Sequence, residues 1–217
     1  KTRVRVFPDG ESKITIVGQV RKGKIIVVQS TYPPVDSNLV QALSLISKAR
    51  EMSKEVIAVI PYMGYAKQDK EFLKGEVVTI SVIAKLVKAA GATRLIVVDF
   101  HSPKALNFFK IPIKNPSAVS LLAQYFKNLK LKEPFVVSPD MYWKDKAEEF
   151  AKHLNTTSIA LNKQRDRKTG KLIIKSSHLK FSKGRDLVLF DDMVSTGGSI
   201  LKAIEFLKKE NFRKMYV

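Results

Sequence analysis

Six short runs of Val, Ile and Leu recur along the chain, and most are followed by a segment whose apolar residues repeat every three to four positions. Unbroken apolar runs are typical of strands in a parallel sheet that is covered on both faces. They predict buried strands at Lys24–Gln29, Glu55–Pro61, Arg94–Phe100, Pro134–Pro139, Thr157–Leu161 and Asp186–Asp192. The segments between them predict helices near Ser37–Met52, Thr79–Ala90, Ser117–Leu129, Trp143–Leu154 and Gly198–Lys209, with Gly91 as a helix C-cap. This alternation indicates an α/β fold.

Two other stretches alternate apolar and polar residues more strictly and predict antiparallel flaps. They are "RVRVF" with "SKITIV" near the start, and "KLIIK" at Lys171–Lys175. Each flap precedes a strand, a loop of small residues and an amphipathic helix, so Lys24–Ile46 matches Asp186–Phe206 in layout. The match predicts two copies of one α/β unit that join near Asn115–Ser117, although strand–helix units are common enough to resemble one another by chance.

Composition restricts the class of protein. With 217 residues, 45% of them hydrophobic, the chain can form one large or two small packed domains. No apolar run approaches the roughly 20 residues that span a bilayer, so no membrane partner is expected. The absence of cysteine excludes disulfides and thiolate metal sites, and favours a reducing, cytoplasmic location.

The net charge of +19 has two interpretations, a nucleic-acid-binding surface or a Lys-rich solvated surface. The basic residues are spread along the chain without a run of five, and few aromatic residues lie among them as stacking platforms. A nucleic-acid partner is therefore not expected.

The loop "DDMVSTGGS" follows the last apolar run and combines two acids with small residues. Glycine and hydroxyl residues at a helix N-terminus form a phosphate site, whereas carboxylates suit sugar hydroxyls or a cation. A phosphorylated sugar carries both groups, while the alternative is an ordinary helix N-cap. The predicted binding residues are Asp191, Asp192, Ser195, Thr196, Gly197, Gly198 and Ser199.

"DDMVSTGGS" resembles the phosphoribosyl-pyrophosphate loop of the type I phosphoribosyltransferase fold. Five further segments occur in the order and approximate spacing of ribose-phosphate pyrophosphokinases: "FPDGES" (Phe7–Ser12), "IPYMGYAKQDK" (Ile60–Lys70), "DFHS" (Asp99–Ser102), "SPD" (Ser138–Asp140) and "KQRDR" (Lys163–Arg167). The resemblance implies an α/β protein of two tandem phosphoribosyltransferase-like domains, 1–115 on the ATP side and 116–217 with the ribose 5-phosphate loop. Each domain would have a mainly parallel sheet flanked by helices, with an antiparallel flap.

The resemblance also implies a reaction in which the β,γ-diphosphate of Mg-ATP moves to the 1-hydroxyl of ribose 5-phosphate. Site roles follow for residues of the matching segments. ATP would be bound by Phe7, Asp9, Gly10, Glu11, Lys67 and Gln68, and Mg²⁺ by His101 and Asp140. Lys163 and Arg165 on the second flap would stabilise the transition state. Because the "FPDGE" loop of the family usually reaches ATP across a subunit interface, a homo-oligomer of at least two chains is implied.

The chain departs from the family pattern at two places. Lys67 occupies a position where the family usually has Arg, and Met141-Tyr142 follow "SPD" where Gly-Gly is common. These departures keep open a catalytically weak paralogue that acts as a partner subunit. The phosphoribosyl loop alone would also suit a phosphoribosyltransferase, and the basic charge would suit a nucleic-acid-binding protein.

Overall fold

The computed structural model describes residues 1–18, 23–165, 172–175 and 184–217, although the side chains of 163–165 and 172–175 are outside that description. The chain divides into two compact units, Lys1–Ser117 and Ala118–Val217. Each unit has its own sheet and its own hydrophobic core.

The first unit begins with an antiparallel hairpin of β1 (Thr2–Val6) and β2 (Ser12–Ile16). A parallel sheet follows, in the order β3 (Ile25–Val28), β4 (Val56–Ile60), β5 (Arg94–Val97) and β6 (Ile113–Lys114). Its helices are α1 (Val35–Met52) and α2 (Thr79–Ala89), with a 3₁₀ helix at Pro103–Phe108. Gly91 ends α2 as predicted, with φ of 106° and its N–H donating to the Lys88 carbonyl at 2.9 Å.

The first strand of this sheet is less buried than the sequence predicts. In β3, Ile26 and Val28 are 59% and 64% exposed, whereas nearly all of β4 is buried. The apolar run "KIIVVQ" was expected to be covered on both faces, and that expectation is wrong for this unit taken alone. The reason is that Ile26 and Val28 point to the opposite face of β3 from Ile25 and Val27, and it is Ile25 and Val27 that pack on the core of this unit.

The second unit contains a four-stranded parallel sheet in the order β12, β11, β7, β8. In chain order its elements are α3 (Val119–Asn128), β7 (Phe135–Ser138), α4 (Lys144–His153), β8 (Ser158–Ala160), β9 (Asn162–Arg165), β10 (Leu172–Lys175), β11 (Asp186–Leu189), α5 (Gly198–Leu207) and β12 (Lys214–Tyr216), with a 3₁₀ turn at Lys208–Glu210 before β12. Strands β9 and β10 pair antiparallel, as the flap prediction requires.

Helices cover both faces of the second sheet. Val136 on β7 packs with Phe150 of α4, whereas the next residue, Val137, packs with Ile200 and Leu207 of α5. Successive side chains of a strand point to opposite faces, so a strand buried on both faces is apolar at every position. The predicted α/β fold, with mainly parallel sheets and antiparallel flaps, is confirmed.

An ion pair between a buried acid and a partly exposed arginine lies at the end of the second sheet where β11 begins. Asp186, fully buried at the start of β11, accepts hydrogen bonds from Arg213 Nε at 2.8 Å and from the Lys132 N–H at 2.8 Å. Burial raises the pKa of the Asp186 carboxyl, but the hydrogen bonds from Arg213 and Lys132 outweigh it, so the pKa lies below its usual value. The carboxylate therefore stabilises the folded unit at neutral pH.

We expect Asp186→Ala to lower the free energy of unfolding by about 2 kcal/mol at pH 7. Breaking a buried pair typically costs about 3–5 kcal/mol, and the partial exposure of Arg213 reduces that. Because the folded pKa is depressed, this stability is present above the unfolded pKa of about 3.9 and is lost as the pH falls through the lower folded pKa. Urea titrations at pH 7 and pH 3 measure the difference. Glu148→Ala, on the solvated face of α4, is the control and should change little; an equal loss in both variants would contradict the assignment.

Among the residues that the structure describes, no helix is long and apolar enough to cross a membrane.

Candidate active site

The loop after β11 is held between the sheet and α5. Phe190 is buried, and its N–H donates to the Val137 carbonyl at 2.9 Å, which continues the ladder with β7 beyond the strand itself. Its ring stacks on Phe150 with centroids 4.8 Å apart. Gly197 adopts the left-handed conformation, with φ of 76°, and its carbonyl accepts the N–H of Leu201 as α5 begins. Both ends of the loop are therefore anchored in the core.

The N-terminus of α5 is suited to an anion. Ile200, Ala203 and Leu207 pack this helix onto the sheet, so its first turn stands at the carboxyl end of β11. The first N–H groups of a helix lack partners within it and carry the positive end of the helix dipole. The hydroxyl residues of the loop, Ser195, Thr196 and Ser199, are exposed beside it. A phosphate could bind to these amides and hydroxyls.

Three carboxylates interact where β11 and β7 end. Burial raises the pKa of Asp191 to about 6; the Asp192 N–H, which donates to Asp191 Oδ1 at 2.9 Å, opposes the rise, while the Asp192 and Asp140 carboxylates add to it. Asp140 follows β7, the strand that pairs with β11. The structure thus brings together Asp140, Asp191 and Asp192, which the sequence had assigned to two separate motifs. A cluster of this kind attracts hydroxyl donors or a cation.

The residues after Asp140 form a tight turn. Tyr142 N–H donates to Asp140 Oδ1 at 2.9 Å, and Ser138 Oγ donates to the Asp140 carbonyl at 2.8 Å. Met141 and Tyr142 are 52% and 58% exposed, while Trp143 beneath them is buried. Two large side chains are therefore exposed to solvent directly after Asp140, where the family commonly has glycines.

The predicted ATP residues near the N-terminus lie in the turn between β1 and β2. Phe7 N–H donates to the Glu11 carbonyl at 2.8 Å, and Gly10 has φ of 91°. Asp9 accepts the Glu11 N–H, and the Phe7 ring lies 5.5 Å from the Arg5 guanidinium. The predicted hairpin turn is confirmed, and it leaves Asp9 and Glu11 exposed.

The other predicted ATP residues, Lys67 and Gln68, lie on the loop after β4 and are exposed. His101, which follows the adjacent strand β5, is half-buried. A hydrogen bond of 2.5 Å from Ser102 Oγ to Asp69 Oδ2 connects the two loops. Sequence reasoning missed Asp69 and Ser102 as a pair, although both stood inside the quoted motifs "KQDK" and "DFHS".

Lys163 and Arg165 are on β9, whose backbone pairs Lys163 with Ile174 and Arg165 with Leu172 of β10. The side chains of these two residues lie outside the described part of the chain, as do residues 166–171 of the same flap.

In the described part of the chain, no three His, Asp or Glu side chains converge on a position that could hold a metal ion. His101 belongs to the first unit and Asp140 to the second. Mg²⁺ usually binds through one or two carboxylates, several waters and substrate phosphates, so a site of that type needs no cage of protein ligands. The carboxylate oxygens of Asp140 fit this donor preference, whereas an imidazole nitrogen such as that of His101 is a less usual ligand for Mg²⁺.

Two family models match the chain. Residues 1–91 match the N-terminal domain of ribose phosphate pyrophosphokinase, and residues 113–216 match the phosphoribosyl transferase domain. Among curated relatives, ribose-phosphate pyrophosphokinase of Sulfurisphaera tokodaii is 35% identical, over 99% of this chain and 74% of the relative. The enzyme of the same name from Saccharolobus solfataricus is 33% identical, over 94% and 70%.

A solved structure is similar along nearly the whole chain. The crystal structure of phosphoribosylpyrophosphate synthetase from Mycobacterium smegmatis superimposes with a TM-score of 0.85 at 29% identity. The match covers 99% of this chain and 70% of that chain.

Proposed function

The chain belongs to the ribose-phosphate pyrophosphokinase family, and we propose how its residues carry out the family's reaction. The reaction transfers the β,γ-diphosphate of ATP to the 1-hydroxyl of ribose 5-phosphate and yields phosphoribosyl pyrophosphate and AMP. The observation that carries the proposal is the loop of residues 191–199, in which two carboxylates precede a helix N-terminus. An assay of AMP release from ATP with and without ribose 5-phosphate tests the proposal. We expect AMP only when ribose 5-phosphate is present, and ATP consumption at the same rate without it would contradict the proposal.

In this proposal the second unit, counted as 116–217, binds ribose 5-phosphate. The 5-phosphate lies at the amides of Gly197, Gly198 and Ser199, with the hydroxyls of Ser195 and Thr196 as further donors. The carboxylates of Asp191 and Asp192 accept hydrogen bonds from the ribose diol. The chemistry of the ligand supports this assignment, because ribose 5-phosphate carries a phosphate and a diol a few bonds apart. The loop offers amides and hydroxyls for the phosphate and carboxylates for the diol.

The first unit, counted as 1–115, binds ATP in this proposal. Phe7 stacks on the adenine, Asp9 and Glu11 accept hydrogen bonds, and Gly10 makes the turn that presents them. Lys67 and Gln68 contact the phosphates and the base. Lys67 supplies charge without the bidentate fork of an arginine, so its contact with a phosphate depends less on orientation.

We propose Mg²⁺ as the cofactor, with Asp140 as a protein contact, ATP phosphates as further ligands, and His101 as a contact of the ion or of the phosphates that bind it. When bound, the ion would supply positive charge against the phosphate oxygens. Lys163 and Arg165 stabilise the charge that develops on the β-phosphate oxygens while the sugar hydroxyl attacks in line. No covalent enzyme intermediate is required, so the protein contributes by positioning the reactants and by complementary charge.

We propose that the chain works as at least a dimer, in which the hairpin of β1 and β2 contacts the ATP of a neighbouring copy. Its support is the exposure of that hairpin, where Val4 and Val6 are 42% and 59% exposed. Sedimentation equilibrium should give a mass of at least twice 24.4 kDa, and a monomer at micromolar concentration would contradict the proposal. We further propose a cytoplasmic location, which suits a chain without cysteine.

A methyl group at Gly198 tests the phosphate position. A Cβ there would meet only Thr196 Oγ1, at 3.6 Å, and the backbone φ is not positive, so the ligand-free fold should accept Gly198→Ala. If the 5-phosphate approaches this amide, the methyl group should raise the KM for ribose 5-phosphate about tenfold while the KM for ATP stays the same. Ser47→Ala, on the exposed face of α1, is the control. An unchanged KM for ribose 5-phosphate in a folded Gly198→Ala protein would contradict the proposed phosphate position.

A further inference from the structure

A partly buried hydrogen bond joins two loops of the first unit at the carboxyl ends of neighbouring strands. Ser102 is 2% exposed, and its hydroxyl donates to Asp69 Oδ2 at 2.5 Å. Asp69 directly follows Lys67 and Gln68, and Ser102 directly follows His101. The bond therefore connects the loop of two proposed ATP residues to the loop of His101, the proposed contact of Mg²⁺ and its ATP phosphates.

Each loop is also anchored within its own part of the fold. The Gln68 N–H donates to the Tyr65 carbonyl at 2.9 Å, and the Gln68 carbonyl accepts from the Ile80 N–H at the start of α2, at 3.4 Å. On the other loop, the Phe100 N–H donates to Asn115 Oδ1 at 3.0 Å, and the Ser102 carbonyl accepts from Ala105 N–H at 2.9 Å. The Asp69–Ser102 bond is thus a cross-link between two segments that are held separately.

The chemistry of this bond makes it a strong restraint. A hydroxyl that donates to an ionised carboxylate forms a short, charge-assisted hydrogen bond. Removal of Asp69 leaves the buried Ser102 hydroxyl without that acceptor, and removal of Ser102 leaves the half-buried Asp69 carboxylate without that donor. The loops would therefore shift so that the remaining group reaches another partner or water. Phosphate-binding side chains tolerate such shifts poorly, because displacements of about 1 Å can lower rates by about a hundredfold.

We infer that Asp69 is a positioning residue for ATP. Its carboxylate, through Ser102, fixes the loop of His101 against the loop of Lys67 and Gln68, so that both loops meet one triphosphate chain. Asp69 itself does not touch the nucleotide. This inference rests on the proposed roles of Lys67 and Gln68 in binding ATP and of His101 in contacting Mg-ATP.

A double-mutant cycle tests the inference. Asp69→Ala and Ser102→Ala should each weaken binding of α,β-methylene-ATP with Mg²⁺ about tenfold and raise the KM for ATP equally, while the KM for ribose 5-phosphate stays within about twofold. The double variant should lose no more than either single variant, because both changes remove the same bond. Additive losses would overturn the inference.

The conservative variant separates positioning from direct contact. Asp69→Asn keeps an oxygen that can accept the Ser102 hydroxyl, so nucleotide binding should return to within about threefold of the parent. An Asp69→Asn protein as weak as Asp69→Ala would overturn the inference, since it would assign the negative charge a direct role.

Thr93→Val is the matched control, because Thr93 Oγ1 donates to the Val56 carbonyl at the opposite end of β5. Thr93→Val should lower stability without changing nucleotide affinity. An equal loss of affinity in this variant would mean that the effect of the Asp69 variants comes from general destabilisation.

If the parent chain did not bind α,β-methylene-ATP, the inference would be overturned. Binding without any ribose 5-phosphate-dependent AMP release would reject the proposed reaction and leave the cycle interpretable.

Discussion

Asp191→Asn is expected to reduce ribose 5-phosphate-dependent turnover at least a hundredfold and, at pH 8, to make the protein more stable than the parent. The loss of activity follows if Asp191 accepts a hydrogen bond from the ribose diol, because an amide presents one acceptor where a carboxylate presents two. The gain in stability follows from burial and from the neighbouring charges of Asp192 and Asp140, which raise the pKa of Asp191 to about 6.

The raised pKa of Asp191 determines whether the substitution raises or lowers the free energy of unfolding at a given pH. The folded pKa lies above the unfolded value of about 3.9, so the folded state binds the proton more tightly. The stability contributed by Asp191 is therefore greatest below about pH 4, falls between pH 4 and 6, and is absent above. At pH 8 the folded state holds an unfavourable charge, and the asparagine removes it, with an expected gain of roughly 1–2 kcal/mol.

Chemical denaturation of both proteins at pH 5 and pH 8, together with the AMP assay, measures these effects. Asp145→Asn, an exposed acid in the first turn of α4, is the matched control and should leave turnover unchanged. An Asp191→Asn protein that is less stable than the parent at pH 8 would show that Asp191 supports the fold. In that case its loss of activity would say nothing about ribose.

Lys163→Ala is expected to lower kcat about a hundred- to a thousandfold and to change the KM for ribose 5-phosphate only a few-fold. A cation that meets charge developing in the transition state contributes to the rate and little to ground-state binding. Steady-state kinetics at saturating Mg-ATP measures both constants. Lys163→Arg should recover part of the rate because it keeps the charge, although its different shape prevents full recovery.

Lys202→Ala, on the exposed side of α5, is the control for a general effect of removing a positive charge. It should leave both kcat and the KM for ribose 5-phosphate unchanged. The reverse pattern in Lys163→Ala, with a large rise in KM and an unchanged kcat, would assign Lys163 to the binding of substrate.

The strands and helices were predictable because their apolar patterns are local. The residues at which the strands end were harder to predict. The apolar runs predicted strands as far as Phe100 and Asp192, whereas β5 and β11 end at Val97 and Leu189. The residues in between leave the sheet to form the site loops, and residue type alone does not separate a strand's last residue from the loop that follows it. Strands β6 and β12 have two and three residues, which is too few for a recognisable alternation.

Features that depend on residues far apart in the sequence could not be predicted, for a different reason. The exposure of Ile26 and Val28 depends on which face of β3 packs on the core, which is a property of the three-dimensional packing. The Asp69–Ser102 bond joins residues 33 positions apart, and no local pattern marks such a pair. The raised pKa of Asp191 is caused mainly by burial and in smaller part by Asp192 and by Asp140, which follows another strand. The loop itself was recognisable because its acids, hydroxyls and glycines are contiguous.

The central claim is that the chain transfers an intact diphosphate to ribose 5-phosphate. The most direct measurement follows ATP labelled separately at its β- and γ-phosphorus atoms, with Mg²⁺ and ribose 5-phosphate. We expect both labels to appear together in phosphoribosyl pyrophosphate, with one AMP formed for each product molecule. Transfer of the γ-label alone with release of ADP, or AMP formation with both labels in free pyrophosphate, would contradict the claim.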